Sequence, residues 1–300
     1  MKRIHYQLVD VFTDSAFGGN PLAVCTDARA VPEELMQPIA KELNLSETTF
    51  VFPPADPKND FRVRIFTPAG ELPMAGHPTV GTAFILAREK MVTKSKIVFE
   101  EGVGPVPVSI ELNDGAPGFA EMAQAVPTFG RRFETNAVAE MLSLEPEAIG
   151  ATGLPSEIVS CGVPYLLVPV ATLEAIRRIR FRADIWQRLI GDISGEDVFV
   201  FTKETEVAGS HVHSRMFAPA HGIPEDPATG SASGPVGCYL VRHNVMPSGG
   251  ELRCVSEQGI EMGRPSFIHV RIGHGGGEIT SVHVGGTCHY MGAGYFDLDV

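Results

Sequence analysis

Three residues stand where proton transfer could be carried out: Glu47 in NLSETTFV, His77 in AGHPTVGTA and Asp226 in EDPATGSA. Carboxylate and imidazole groups are the side chains most readily tuned to take up and return a proton near neutral pH. His77 precedes Pro78 and Asp226 precedes Pro227. Proline suits the first helical position, because its missing N–H would be unbonded there anyway. Both residues are therefore expected at the N-cap sites of helices. Histidine is not a preferred cap, so capping alone does not account for His77, although a histidine merely hydrogen-bonded near a core is the plain alternative. For Asp226 capping is a sufficient explanation in itself. Glu47 is expected at a helix-to-strand turn among Leu45, Thr48, Thr49 and Phe50. Partial burial there would tune it for acid–base work; a capping or ion-paired glutamate is the structural alternative. Gly76, Gly230 and Ser231 lie where backbone or hydroxyl donors could reach a ligand. The open N-terminus of each helix favours an anionic substrate or a developing oxyanion.

Other groups carry less. His211 and His213 alternate on an expected strand and could share a face for a metal, but no third ligand is evident and a solvated strand face explains them better. The GHGGG of 273–277 lacks the spacing of a phosphate-binding loop and reads as a turn. No dinucleotide-binding glycine motif, P-loop or G-x-S-x-G elbow occurs in a strand-to-helix context.

What must position these residues is a unit present twice. RIFTPA (64–69) is echoed by RMFAPA (215–220), GHPTVGTA (76–83) by EDPATGSA (225–232), and SETTFVF (46–52) by GEDVFVF (195–201). The last two pairs share an offset of 149 positions. GGNPLAV (18–24) resembles CGVPYLL (161–167) at a shorter offset. Two copies make a duplicated domain rather than a solenoid. The junction is expected within 117–135, giving an N-terminal lobe over 1–125, on which the chain end could pack back, and a C-terminal lobe over 126–300. On this alignment His77 and Asp226 are mates facing one cleft between the lobes, where ligand pockets tend to form.

Runs of β-branched and aromatic residues predict strands at 4–12, 48–53, 61–67, 105–112, 163–170, 197–202, 211–217 and 266–272. Helices are expected at 33–43, with Pro38 an awkward interior residue, at 183–190, at 78–89 and at 227–242, where Pro235 should bend or weaken the helix. The helix at 78–89 is apolar nearly all round until Arg88, so other structure should enclose it. A buried helix wrapped by strands in each half is the simplest α+β arrangement.

The 300 residues, 44% of them hydrophobic and 20% charged, have an ordinary globular composition and suffice for one or two domains. A formal charge of −12 repels phosphate backbones and argues against a nucleic-acid partner. No run approaches the roughly 18 apolar residues of a membrane helix, and MKRIHYQLVDVF reads as a first strand rather than a signal peptide. The five cysteines are odd in number, scattered and without C-x-x-C, which fits a reducing compartment, with the cytoplasm the expected location.

NLSETTFV, FTPAGELPMAGHPTVGTA, EDPATGSASG and the opening VDVFTDSAFGGNPLAV resemble the signature segments of the PhzF family, the phenazine-biosynthesis-like isomerases, over essentially the whole chain. The resemblance implies the diaminopimelate epimerase fold, with two lobes, each a strongly curved sheet wrapped around a central helix. It also implies Glu47 as the residue that moves the proton. His77, Asp226, Gly76, Gly230 and Ser231 would bind and polarise a small carboxylated substrate, without metal or organic cofactor, in a homodimer. Epimerase relatives use two cysteines at the starts of the same helices. The places expected here hold Ala75 and Pro227, so a two-thiol racemase is contradicted. The expected activity is an isomerase that moves a proton between carbons; a single-base epimerase or lyase, or a non-catalytic binding protein on the same fold, are the alternatives.

Overall fold

The computed structural model describes residues 2–190, 196–247 and 249–298. The chain divides into two units, Met1–Ala123 with Val284–Val300, and Gln124–His283. In the first part of the chain lie β1 (Lys2–Val11), β2 (Asn20–Cys25), α1 (Glu33–Leu43), β3 (Glu47–Phe52), β4 (Phe61–Phe66), β5 (Glu71–Leu72), α2 (Gly76–Arg88), β6 (Lys96–Glu101), β7 (Gly104–Asn113) and β8 (Ala116–Gln124). Then follow β9 (Thr128–Phe133), α3 (Thr135–Leu142), α4 (Glu147–Gly150), β10 (Ser156–Ser160), β11 (Pro164–Pro169), α5 (Leu173–Arg177), α6 (Ala183–Leu189) and β12 (Asp197–Thr202). The last elements are β13 (Val212–Ala218), β14 (Ile223–Asp226), α7 (Gly230–Arg242), β15 (Glu251–Gln258), β16 (Ser266–Gly275) and β17 (Glu278–Leu298).

In the first unit β1 pairs with β2, β3 with β4, β6 with β7 and β7 with β8, all antiparallel. The pairs β2–β3 and β4–β6 are parallel. Parallel neighbours need a crossover, and α1 and α2 supply the two crossovers. β17 pairs with both β8 and β1, which closes the circuit into a barrel. The barrel is filled by α2, whose residues Gly76–Ala87 are all buried. β3 is buried on both faces: Thr49 Oγ1 lies 2.9 Å from Thr82 Oγ1 of α2, while Phe50 packs outward with Met36, Ile39 and Ala40 of α1. Helix α1 runs through Pro38; the residue is exposed, so the hydrogen bond it forfeits falls on the solvent side.

The second unit repeats this order. β10–β11, β12–β13 and β15–β16 are antiparallel, and β11–β12 and β13–β15 are parallel. α7 is the enclosed helix, buried from Gly230 to Leu240 and continuous through Pro235. On β12, Phe201 points inward to Tyr239 of α7, with ring centroids 5.4 Å apart, whereas Val198 and Val200 join Trp186 and Val138 in an outer core under α3–α6.

Matching interactions fix how the copies correspond. Arg64 stands over the Phe66 ring and is gripped by both carboxylate oxygens of Glu71, each at 2.7 Å; Arg215 stands over Phe217 and is gripped by Glu225, each at 2.8 Å. Glu100 accepts the N–H groups of Ala55 and Asp56, as Glu257 accepts those of Glu206 and Val207. Pro73 packs on Gly102 as Pro227 packs on Gly259. This correspondence corrects the 149-residue alignment. In the sheet Glu47 lies opposite Leu22 and Thr48 opposite Phe66; Asp197 lies opposite Tyr165 and Val198 opposite Phe217. Glu47 therefore corresponds to Asp197, not Glu196. With Pro73 matched to Pro227, α2 and α7 begin together at Gly76 and Gly230. His77 then corresponds to Ser231, and Asp226 to Leu72. The echo of PTVGTA in PATGSA is an out-of-register likeness between two chain segments that both need small residues to enter a filled barrel.

The capping expectation is corrected for the same reason. His77 sits in the first turn of α2, whose N-cap is Ala75, and α7 is capped by Thr229 rather than Asp226. The Gln258 side chain accepts the Thr229 N–H at 3.0 Å and donates to the Asp226 carbonyl at 2.7 Å, which holds 226–229 out of the helix. Gly259 keeps that clamp in place. Its φ is +75°, and a Cβ there would meet the Pro227 and Arg264 carbonyl oxygens, each at 2.5 Å. Gly259→Ala is expected to destabilise the protein by ~1–3 kcal/mol from left-handed strain and overpacking, read as a lower urea midpoint at constant slope.

Candidate active site

In the first unit Glu47 opens β3 with its side chain on the face turned to α2, and His77 occupies the first turn of that helix. Both are buried, at 7% and 3% exposure, and His77 Nε2 lies 3.1 Å from Glu47 Oε2. Asn20, at the start of β2, sets the tautomer. Its Nδ2 lies 3.1 Å from His77 Nδ1, and an amide nitrogen can only donate, so the proton of the neutral ring sits on Nε2, facing Glu47. A carboxylate neighbour favours imidazolium, but complete burial of the ring dominates and pulls its pKa down to about 3. His77 is thus a neutral donor at physiological pH. Its Nε2 makes no aligned hydrogen bond among the described residues, which keeps a buried N–H available to a ligand. Gly76, the first residue of α2, adds an N–H at the open helix end.

Behind this turn Thr79 Oγ1 lies 2.7 Å from the Ala75 carbonyl and 2.5 Å from Glu101 Oε1. One hydroxyl has one hydrogen. With that hydrogen on the Ala75 carbonyl, Glu101 must donate, and burial indeed pushes its pKa up to about 8.

In the second unit Asp226 ends β14, buried at 6% exposure, and its Oδ2 accepts the Thr229 hydroxyl at 2.5 Å. Gly230 and Ser231 open α7. The Gly230 carbonyl accepts from Gln124, and Ser231 Oγ lies 2.6 Å from the Tyr165 hydroxyl. The sequence placed Glu47 beside no particular partner; the structure brings it to His77 in one unit and builds the surroundings of Asp226 in the other. Asn20, Thr79, Glu101, Tyr165, Asp197 and Gln258 were missed. Asn20 alone had a legible signal, a polar residue in GGNPLAV entering an apolar strand.

The solvated-face reading of His213 is overturned. The ring is fully buried, with Nδ1 2.8 Å from Glu257 Oε1 and Nε2 2.9 Å from Glu261 Oε1. Burial lowers its pKa, yet the two carboxylates override that and raise it to about 9. Glu206, His213 and Glu261 bring three ligand-type atoms within 4.8 Å of one another, but carboxylates already engage both ring nitrogens, and the cluster reads as an internal ion pair. His211 accepts the Val255 N–H and is exposed.

The profile of the phenazine biosynthesis-like proteins matches residues 9–294. The chain belongs to this family. It is 40% identical to an uncharacterised isomerase of Mesorhizobium japonicum, over 95% of this chain and 96% of the relative. It is 37% identical to the trans-2,3-dihydro-3-hydroxyanthranilate isomerase of Pseudomonas aeruginosa, over 94% and 95%. A crystal structure of a Bacillus anthracis phenazine biosynthesis protein of the PhzF family superposes with a TM-score of 0.90 at 28% identity, covering 99% of this chain and all of that one. The α+β fold and the isomerase class follow from these likenesses. The epimerase thiol positions also need one adjustment: the residue matching Ala75 is Thr229, not Pro227, and neither is cysteine. Among the described residues no helix is long and apolar enough to cross a membrane.

Proposed function

We propose that this PhzF-type isomerase moves a proton between carbons of a small carboxylated substrate, of the trans-2,3-dihydro-3-hydroxyanthranilate kind, without metal or organic cofactor. The buried contact between Glu47 and the Nε2–H of a neutral His77 carries the reading. Glu47 takes a proton from an activated C–H, and the electron pair left behind spreads into the conjugated system. His77 Nε2–H and the α2 N-terminus stabilise the negative charge that develops. Glu47 then returns the proton to a second carbon, so the double bond shifts and no atom is lost. Asp226, Gly230 and Ser231 are proposed as further substrate-binding residues, Asp226 holding an amino group by charge. The five cysteines, all free thiols, support a reducing compartment such as the cytoplasm, and a homodimer is the form proposed by family likeness.

The test is incubation with trans-2,3-dihydro-3-hydroxyanthranilate in heavy water, followed by proton NMR. Deuterium is expected at the carbon that gains hydrogen in an isomerised product, at a rate that exhaustive chelation leaves unchanged. Exchange confined to one stereocentre without a bond shift would make the protein an epimerase. Binding without turnover would make it a binding protein.

A further inference from the structure

The correspondence between the two copies singles out a residue that no motif marks. Asp197 is the register equivalent of Glu47: each opens the strand that follows a parallel crossover, opposite Leu22 in one unit and Tyr165 in the other. Strand periodicity puts it on the same face as Phe199 and Phe201, the face turned to α7, just as Glu47 shares a face with Thr49 toward α2. Asp226 is on that face too, since Phe199 lies opposite Met216 and Met216 opposite Asp226. Asp197 is buried at 4% exposure, and its Oδ1 has no hydrogen-bond partner among the described residues.

We propose that Asp197 is a positioning residue that holds a proton beside Asp226, so that the two carboxyl groups carry one negative charge and that charge stays on Asp226. The Thr229 hydroxyl, donating to Asp226 Oδ2, decides which of the two is ionised. Two neighbouring buried carboxylates cannot both ionise without a strong penalty, the logic of a dyad sharing one proton. Burial, and then the charge on Asp226, push the Asp197 carboxyl up to about 8. The other groups around it do not neutralise it. His221 Nε2 is 3.6 Å from Asp197 Oδ2, but burial lowers the His221 pKa and keeps the ring neutral. Glu196, adjacent in the chain, is itself raised by burial, with Arg131 opposing, and Tyr165 on β11 is turned to Ser231. Each unit thus sets a carboxyl group at the same strand start: Glu47 beside a neutral donor, Asp197 beside a fixed anion.

The catalytic consequence rests on reading Asp226 as the substrate's anionic contact; the shared proton does not. The two are tested separately. Carboxyl 13C NMR of aspartate-labelled protein is expected to show one aspartate titrating between about pH 7 and 9. That signal should vanish in Asp197→Asn and move down by more than one pH unit in Asp226→Asn, where the repelling charge is gone. Titration of Asp197 below pH 5, or indifference to Asp226→Asn, would overturn the proposal whether or not the enzyme turns over. With trans-2,3-dihydro-3-hydroxyanthranilate as substrate, the ratio of kcat/KM at pH 9 to that at pH 6.5 should rise about tenfold in Asp197→Asn relative to wild type, because the group whose ionisation disturbs Asp226 has been removed. A purely structural role would leave the ratio where it was and would overturn the positioning role even if the titration held. Absence of turnover by the wild type would tell against the substrate reading, and the titration would still decide on the proton.

Discussion

Glu47→Gln is expected to fold as the wild type does and to lose turnover by at least about 10²–10⁴-fold, the usual contribution of a general acid–base group. The amide keeps the volume of the carboxylate at the start of β3. His77 stays in place because Asn20 holds its Nδ1 independently of Glu47. What is lost is the ability to accept a proton from carbon, which no amide oxygen supplies near neutral pH. Thermal unfolding and circular dichroism should overlay with wild type, while kcat collapses and KM for a substrate held by other groups changes little. Near wild-type kcat in a well-folded Glu47→Gln would remove Glu47 as the base. Attention would then pass to the other carboxyl groups on the faces turned to α2 and α7.

Much of this arrangement was legible in the sequence, and the part that was not has a physical reason. Strands with β-branched or aromatic runs, such as β3, β12 and β13, were readable because both their faces are covered, one by a central helix and one by an outer helix or core. β6, β8, β9, β15 and the long β17 were not readable. β9 has one buried residue, Phe133, and β8 and β17 carry glycines, at 118 and at 285, 286, 292 and 294, that weaken any strand signal. The duplication itself was correct, but its register was not. Small residues at the start of α2 and α7 produced a better letter match at an offset of 149 than at the true one. The Arg64–Glu71 and Arg215–Glu225 pairs, the matching Glu100 and Glu257 contacts, the two proline–glycine contacts and the strand registers set it right. The choice of Glu47, His77 and Asp226 as candidates did not depend on that register, because their chemistry selects them without symmetry. His77 and Asp226 are not equivalent positions of the two copies; the equivalent of Glu47 is Asp197.

Glu101→Gln is expected to stabilise the protein above about pH 7 while changing little near pH 4–5. The carboxyl group of Glu101 is fully buried and hydrogen-bonded to Thr79, with a pKa raised from the ordinary 4.5 to about 8. In the unfolded chain it releases its proton near pH 4.5; in the folded chain it keeps it until about pH 8. Its contribution to stability is therefore complete below pH 4.5 and declines as pH rises through 8, by up to about 1.4 kcal/mol per pH unit. Glutamine keeps the shape, has nothing to ionise, and its amide can donate to Thr79 as the acid does. The second unit carries an amide at the corresponding place: Gln258 matches Glu101, and its amide donates to the hydroxyl of Thr229, the residue that matches Ala75, at 3.0 Å. His77 acts at the opposite end, since burial lowers its pKa from 6.5 to about 3 and stability falls as pH drops from 6.5 toward 3. Wild-type stability should thus decline on both sides of mildly acidic pH. In Glu101→Gln the alkaline decline should become shallower without disappearing, because Asp197, also raised to about 8, remains. Urea midpoints measured from pH 4 to pH 9 decide the point. An alkaline slope unchanged by the substitution, or an equal loss of stability at every pH, would mean that Glu101 is already ionised in the fold and that Thr79 gives its hydrogen to Glu101 rather than to Ala75.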